Sequence, residues 1–361
     1  MDDVLVVGGG IIGTLVALEC RARGARVSVL DAASPRPSAS WAGGGILSPL
    51  FPWRYDDAWL PLTGDALPRY RHWQDLIVHA GMDAPEINPC GMLVRAPDDA
   101  CVESWRARSG IVVCPANQSG LTDRFSSRGN WWMPQVAAVR NPHWLVGLRQ
   151  LADHQGISWQ QATVSSMDAD GSVTLQDGSR QSASSVVVTA GYWSRYLLAH
   201  LGVAGALKPV KGEMLLYRLA PGEIPAILLS DAGYLIPRRD GLVLAGSTLD
   251  PGVTDQRPSE QAQQTLKQMA ADWYAPLGEA EPVAHWSGIR PGNTRSLPLI
   301  GPVTENRRLW MASGHYRNGL VSAPATAALL AQNLFGETVF CDPAPYSPLS
   351  SDSSSDSFCS R

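Results

Sequence analysis

No apolar run in this 361-residue sequence approaches the roughly 20 residues that a helical membrane span requires. The six cysteines (20, 90, 101, 114, 341 and 359) form no C-x-x-C and no metal-ligand spacing. That excludes a dithiol redox motif or a zinc site and leaves free thiols in a reducing compartment as the expectation. Lysine is nearly absent, found only at 208, 211 and 267, and the net charge is −4. Nothing in that balance calls for nucleic acid or an anionic membrane as partner. No Ser/His/Asp or Cys/His constellation of a nucleophilic enzyme stands out. The first apolar strand begins at Val4, so a secretory leader is not expected and a cytoplasmic location is. What remains is ordinary for a globular protein, with 45% hydrophobic and 17% charged residues. The length is generous for one core and suggests two domains, or one domain with a large insertion.

The most informative stretch is residues 4–31. Val4 to Val7 suit a buried parallel strand, and Gly8, Gly10 and Gly13 fall in the G-x-G-x-x-G spacing. An apolar-periodic helix with Ile12, Leu15, Val16 and Leu18 follows, then a strand from Val27 that ends at Asp31. Gly8 permits a tight strand-to-helix turn, Gly10 lets the backbone approach a pyrophosphate, and Gly13 lets helix and strand pack closely. The helix N-terminus offers free N–H groups and a positive dipole end, and Asp31 can accept from a ribose diol. This frame predicts dinucleotide binding, with NAD and FAD equally served.

Three further glycines, Gly43, Gly44 and Gly45, sit between Trp41 and Ile46, and suggest backbone lying against a flat or bulky ligand. Residues 51–134 lose the alternating pattern, apart from a helix over 65–82, and read as an insertion. From 136 the pattern recovers: a helix with Asn141 as N-cap, short strands over 162–191, and a last strand ending in Thr189-Ala190-Gly191. Residues 208–284 read as antiparallel sheet, with a hairpin turn at Arg239-Asp240-Gly241 and a polar helix over 258–272. A strand at 309–313, a glycine-rich loop and a helix from Ala323 to Leu334 follow. The serine-rich tail, with eight serines from 347 onward, is expected to be disordered.

Arg290 lies in the apolar run Ile289-Arg290-Pro291, and a charge so placed needs a partner. That partner is either a substrate carboxylate gripped bidentately or an Asp or Glu elsewhere in the chain. A strand tyrosine such as Tyr234 is, on its own, half-buried packing. Arg317 could hold a substrate or merely its own loop. Arg238 and Arg239, beside a hairpin, read as solvated, and His315 reads as structural. A helix N-terminus after the 314–322 loop would favour negative charge nearby, so positioning and electrostatics could suffice without a side-chain acid or base.

GGGIIG (8–13), SWAGGGILSP (40–49), PVKGEML (209–215), YLIPRRDGLVLAGSTL (234–249), WSGIRPGN (286–293) and ASGHYRNGLVSAPAT (312–326) together resemble the D-amino-acid oxidase superfamily of FAD enzymes. Within it they are most similar to the bacterial glycine oxidases of thiamine biosynthesis. The resemblance implies an α/β fold: a Rossmann-type FAD-binding domain interleaved with a mainly antiparallel β-sheet substrate domain carrying helices. The expected division gives 1–50, 135–207 and 285–346 to FAD, 51–134 and 208–284 to substrate, and 347–361 to the tail. It implies non-covalent FAD, held by the fingerprint and by Ile11, Ile12, Asp31, Ala32, Ser38, Ala39, Gly43 to Gly45 and Val164. The loop His315, Tyr316, Arg317, Asn318, Gly319, Leu320 and Val321 would lie beside the flavin ring. Substrate residues carried over are Tyr234, Arg290 and Arg317. Leu249 and Ala232 depart from a methionine and a histidine in some relatives, which touches side-chain preference.

The activity implied is oxidative deamination of glycine, sarcosine and small D-amino acids by hydride transfer to the flavin. Oxygen is the second substrate, peroxide a product, and a homo-oligomer is compatible. A quinone-dependent D-amino-acid dehydrogenase and a non-catalytic flavin-binding protein are the alternatives. Some relatives that oxidise secondary amines attach flavin through a cysteine, but Cys341 lies beyond the matched motifs. Acid or heat denaturation should therefore release all flavin into the supernatant; yellow colour retained in the precipitate would show a covalent link.

Overall fold

A computed structural model of the chain describes residues 2–32, 38–203 and 205–349. Of the expected disordered tail, residues 350–361 lie outside that range, as do 33–37 of the loop after Asp31. Ser347, at the start of that tail, has its carbonyl bound by Arg295 at 2.9 Å.

A six-stranded sheet carries the fingerprint. Asp2–Val7 is flanked in parallel by Val27–Asp31 and Ala183–Val188. Ser158–Gln161 and Leu309–Ser313 extend the sheet in parallel, and Leu299–Pro302 closes one edge antiparallel. The first strand is apolar at successive positions because both its faces are covered. Val4 and Val6 pack with Leu15, Leu18, Trp144 and Leu329 of the helices Ile11–Ala22, Asn141–His154 and Ala323–Phe335. Leu5 and Val7 face the other way, against Met167, Val173 and Leu175 of a small three-stranded sheet.

The second layer is a nine-stranded, mostly antiparallel sheet built on the long strand Leu207–Arg218. That strand pairs with Leu242–Gly246 on one side and, from Leu207 to Leu216, with Ala284–Asn293 on the other. Gly233–Pro237 and Ile227–Ser230 continue the sheet. Helix Glu260–Trp273, capped by the Ser259 hydroxyl, covers one face through Leu266, Met269 and Trp273.

Two expectations change here. The stretch 51–134, read as an irregular insertion, supplies strands Met92–Val94, Cys114–Pro115 and Trp131–Met133 to this sheet, and Ile227–Ser230 pairs with Met92–Val94 in parallel. Strands of two or three residues are too short to print an alternation on the sequence. Asn141 is not the N-cap of its helix but its first residue. Its amide nitrogen donates to the carbonyls of Ser40 and Gly43, both at 2.9 Å, and ties the glycine segment to the helix start.

The glycines of that segment are not interchangeable with glycines elsewhere. Gly45 has φ +88° and a Cβ there would lie 2.1 Å from the Val139 carbonyl oxygen, whereas Gly24, φ +85°, has open space around it. Gly24→Ala should therefore cost only the left-handed backbone penalty, about 1 kcal/mol. Gly45→Ala should cost about 2–5 kcal/mol once the forced shift is added. Urea denaturation of the two variants checks the difference; equal midpoints would contradict it.

Candidate functional site

The site is a cleft between the two main sheets, lined by residues from both. At one end Asp2–Val7 turns into helix Ile11–Ala22 through Gly8, whose φ is +108°. A Cβ on Gly8 would lie 2.7 Å from the Thr189 carbonyl, and one on Gly13 would lie 1.9 Å from the Gly8 oxygen. The Thr189 hydroxyl donates to that same Gly8 oxygen at 2.7 Å, which fixes the turn. Gly10 precedes the helix, no acidic residue occupies its first turn, and the Ile11 N–H meets the Ser40 hydroxyl at 3.1 Å. This end is therefore suited to an anion. Asp31 stands beside it: burial raises its pKa, while hydrogen bonds from Gly9 and Ala32 and the charge of Arg149 act in the opposite direction.

The next wall is the glycine segment. Ala39 and Gly43, Gly44 and Gly45 line the cleft. Each glycine also abuts protein: Gly44 faces the Tyr234 ring and Gly45 the Val139 carbonyl. Their smallness thus serves internal packing as well as an open wall. Arg238, read from the sequence as solvated, is buried here instead. It donates to the carbonyls of Val139 and Gly44, both at 2.8 Å, and burial lowers its pKa to about 10, still cationic at neutral pH. No local signal marked it, because its partners come from distant segments.

At the far end Arg290 projects from Ala284–Asn293 over Gly212, where a Cβ would lie 2.0 Å from the guanidinium. It donates to the Ser247 hydroxyl at 2.6 Å and to the carbonyls of Thr248 and Lys211 at 3.2 and 3.3 Å. Among the described residues, no carboxylate makes an ion pair with it. Burial lowers its pKa, Tyr234 opposes that shift, and the nearby charge of Arg317 adds to it. Tyr234 is buried on Gly233–Pro237 and points its hydroxyl at the Met214 sulfur, 3.7 Å away. Arg317 enters from the opposite wall, on the short helix Tyr316–Asn318, with its guanidinium 5.3 Å from the Tyr316 ring centre and the Tyr55 phenol as a further partner.

Tyr234, Arg290, Arg317, His315, Tyr316, Gly319 and Leu320 thus share one cleft with Gly10, Ile11 and Ile12. Asn318 and Val321 are packed beneath it, Val321 in the helix-covered core. Ser38 caps the short helix Ala39–Ala42; Ala32 follows Asp31, Val164 comes two residues after Ala162, whose N–H donates to the Asp31 carbonyl, and neither is in the central lining. Ser40, Thr189, Gly212, Ser247 and Arg238 complete the site and were not singled out as site residues from the sequence. Of these, only Thr189 had a signal, in the run of small residues after its strand. Among the described residues, the cleft's lining contains no Asp, Glu, Lys or Cys. Its anion-receptive turn, glycine-walled middle and guanidinium end fit an extended dinucleotide with a small carboxylate beyond it.

Comparison with known proteins agrees with this geometry. Residues 3–333 match the family described as FAD dependent oxidoreductase. The chain is 37% identical over 369 residues to a glycine oxidase of Pseudomonas aeruginosa, covering 96% of this chain and 98% of that one. It is also 37% identical over 366 residues to a glycine oxidase of Pseudomonas putida, with the same coverage. The crystal structure of glycine oxidase from Geobacillus kaustophilus superposes with a TM-score of 0.88 at 26% identity, covering 96% of this chain and 98% of that chain.

His315 is fully enclosed, its Nε2 is 3.1 Å from the Thr326 hydroxyl, and burial lowers its pKa to about 3. The imidazole is therefore neutral at working pH, in keeping with a structural role. The unfolded chain takes up this proton near pH 6.5 and the folded one does not, so stability falls as pH drops from about 6.5 toward 3. Relative to His315→Gln, the native protein should lose about 2 kcal/mol more between pH 7 and pH 5. Urea titrations at the two pH values measure this; parallel losses would place the His315 proton elsewhere.

Proposed function

The chain belongs to the FAD dependent oxidoreductase family, and on that footing we propose that it oxidises glycine and other small amines, sarcosine and small D-amino acids among them. The products are a 2-oxo acid, ammonia (or a primary amine) and hydrogen peroxide. The observation that carries the substrate class is Arg290, a partly buried guanidinium in the cleft wall, supplied with carbonyl and hydroxyl acceptors but, among the described residues, no carboxylate. A substrate carboxylate supplies the missing charge, and Tyr234 stands beside Arg290 to donate to it. The glycine oxidases of the two Pseudomonas species support the choice of glycine.

FAD, when bound, supplies the two-electron acceptor. Gly8 to Gly13 and Asp31, Ala39 and Gly43 to Gly45, and the 315–320 loop would hold it. What the remaining residues do is orient. Arg290 and Tyr234 pin the carboxylate, which sets the position of the adjacent carbon and of the amine bonded to it. Arg317 approaches from the opposite wall and adds positive potential to the cleft, which favours negative charge developing there. Among the described residues no carboxylate or lysine lines the cleft to accept a proton, and His315, enclosed and with its pKa lowered by burial, is too weak a base to do so. The amine must therefore arrive unprotonated, with its proton lost to solvent.

We extend the proposal to the domain division set out above. The six-stranded sheet supports the FAD half, and the pairing of Ala284–Asn293 with Leu207–Arg218 favours counting those residues with the substrate half. The unpaired thiols of Cys20, Cys90, Cys101, Cys114 and Cys341 support residence in the reducing cytoplasm.

A peroxide-coupled assay of the flavin-loaded protein against glycine, sarcosine, D-alanine and D-proline tests the reading. Peroxide with none of them would sink it. Arg290→Ala should raise KM for glycine at least about tenfold, since a charge-assisted pair contributes about 1.5–3 kcal/mol; an unchanged KM would remove Arg290 from the clamp.

A further inference from the structure

Directly behind the clamp, on the face of the sheet turned away from the cleft, lies a buried ionic cluster that the chemistry above does not use. Along Leu207–Arg218, Gly212 and Met214 line the cleft, so the alternating Lys211 and Glu213 point to the opposite face. Glu213 is only 1% exposed. Its carboxylate meets the Lys211 ammonium at 2.8 Å, His285 Nε2 at 2.8 Å, the Ser259 N–H at 3.0 Å and the Ser259 hydroxyl at 3.2 Å. Lys211 in turn donates to the Arg257 carbonyl at 2.6 Å, and Ser287 donates to that of Gln256 at 2.7 Å. The far end of the segment 249–258 is thereby fastened to the back of the sheet.

The near end of that segment is the clamp itself. Arg290 donates to the carbonyls of Lys211 and Thr248 and to the Ser247 hydroxyl. Thr248 is held by the Glu213 N–H, which donates to its hydroxyl at 3.0 Å, and that hydroxyl donates to Asp250 at 3.0 Å. Asp250 and Pro251 then pair with Lys211 and Val210. Every acceptor that orients Arg290 therefore belongs to a residue that Glu213 contacts or to its immediate neighbour. We propose that Glu213 is a positioning residue for the carboxylate clamp: its carboxylate fixes Lys211 and the Ser259 end of the 248–259 segment, its backbone N–H holds the Thr248 end, and together they set the direction in which Arg290 presents its guanidinium.

This inference rests on Arg290 binding the substrate carboxylate, and a non-reacting carboxylate separates its failure from that of the reaction assignment. The experiment measures acetate binding to the FAD-loaded protein through the perturbation of flavin absorbance, alongside glycine turnover where it occurs. In Glu213→Gln the acetate Kd and the glycine KM should rise together by about tenfold, while kcat at saturating glycine stays within about threefold. A residue that served only to hold the fold together would lower the melting temperature and leave both constants where they were. Unchanged acetate Kd in a flavin-loaded variant overturns the proposal, as does a fall in kcat with the glycine KM untouched. If wild-type protein binds acetate but turns over no amine, the reaction assignment fails and the acetate comparison still decides the role of Glu213. Should Glu213→Gln not yield flavin-loaded protein, His285→Gln loosens only one carboxylate oxygen. It should raise the acetate Kd about threefold, and no rise there overturns the proposal equally.

Discussion

A guanidinium set in the cleft wall with no carboxylate among the described residues to meet it is the constraint on which this molecule turns. Arg290 is only partly buried, and a charge so placed without an ionic partner is held at a cost to stability. The fold tolerates it by surrounding the charge with oxygen acceptors that neutralise nothing: two carbonyls and a hydroxyl. It also clears a glycine, Gly212, directly beneath the ring of nitrogens. The arrangement is unfavourable for stability and favourable for recognition, since the deficit is made good only by an incoming anion.

The two layers divide that work according to their topology. Parallel strands end together and leave the turn after Asp2–Val7 facing the cleft, where the start of a helix can receive phosphate. Antiparallel strands place alternate side chains on one face, so Met214, Tyr234 and Arg290 reach the cleft from three different strands. One sheet therefore offers backbone to the ligand and the other offers side chains. The short helix Tyr316–Asn318 closes the cleft from the first layer and brings Arg317 across to the second.

Much of this was legible in the chain. The fingerprint announced itself because each glycine has a local steric duty, and the run Leu309–Ser313, loop, Ala323–Phe335 followed from apolar periodicity alone. The link between Tyr234, Arg290 and Arg317 was legible only through family motifs, since no helical or strand period relates residues in such widely separated segments. Three features stayed hidden. Arg238 resembles any arginine at a hairpin, and its burial comes from carbonyls at 44 and 139. Asn141 looks like a cap because asparagine favours that position, yet its amide is taken by the glycine segment. The strands within 51–134 carry too few residues for a period to appear.

The bonds from Asn141 and Arg238 to the carbonyls of residues 40, 43 and 44 have a consequence of their own. A run of three glycines would ordinarily sample many conformations and would have to surrender that freedom on meeting a ligand. Here two side chains from other parts of the chain have already taken it away. The conformational entropy is spent when the polypeptide folds, so the cradle is preorganised and the association of its cofactor need not bear that cost.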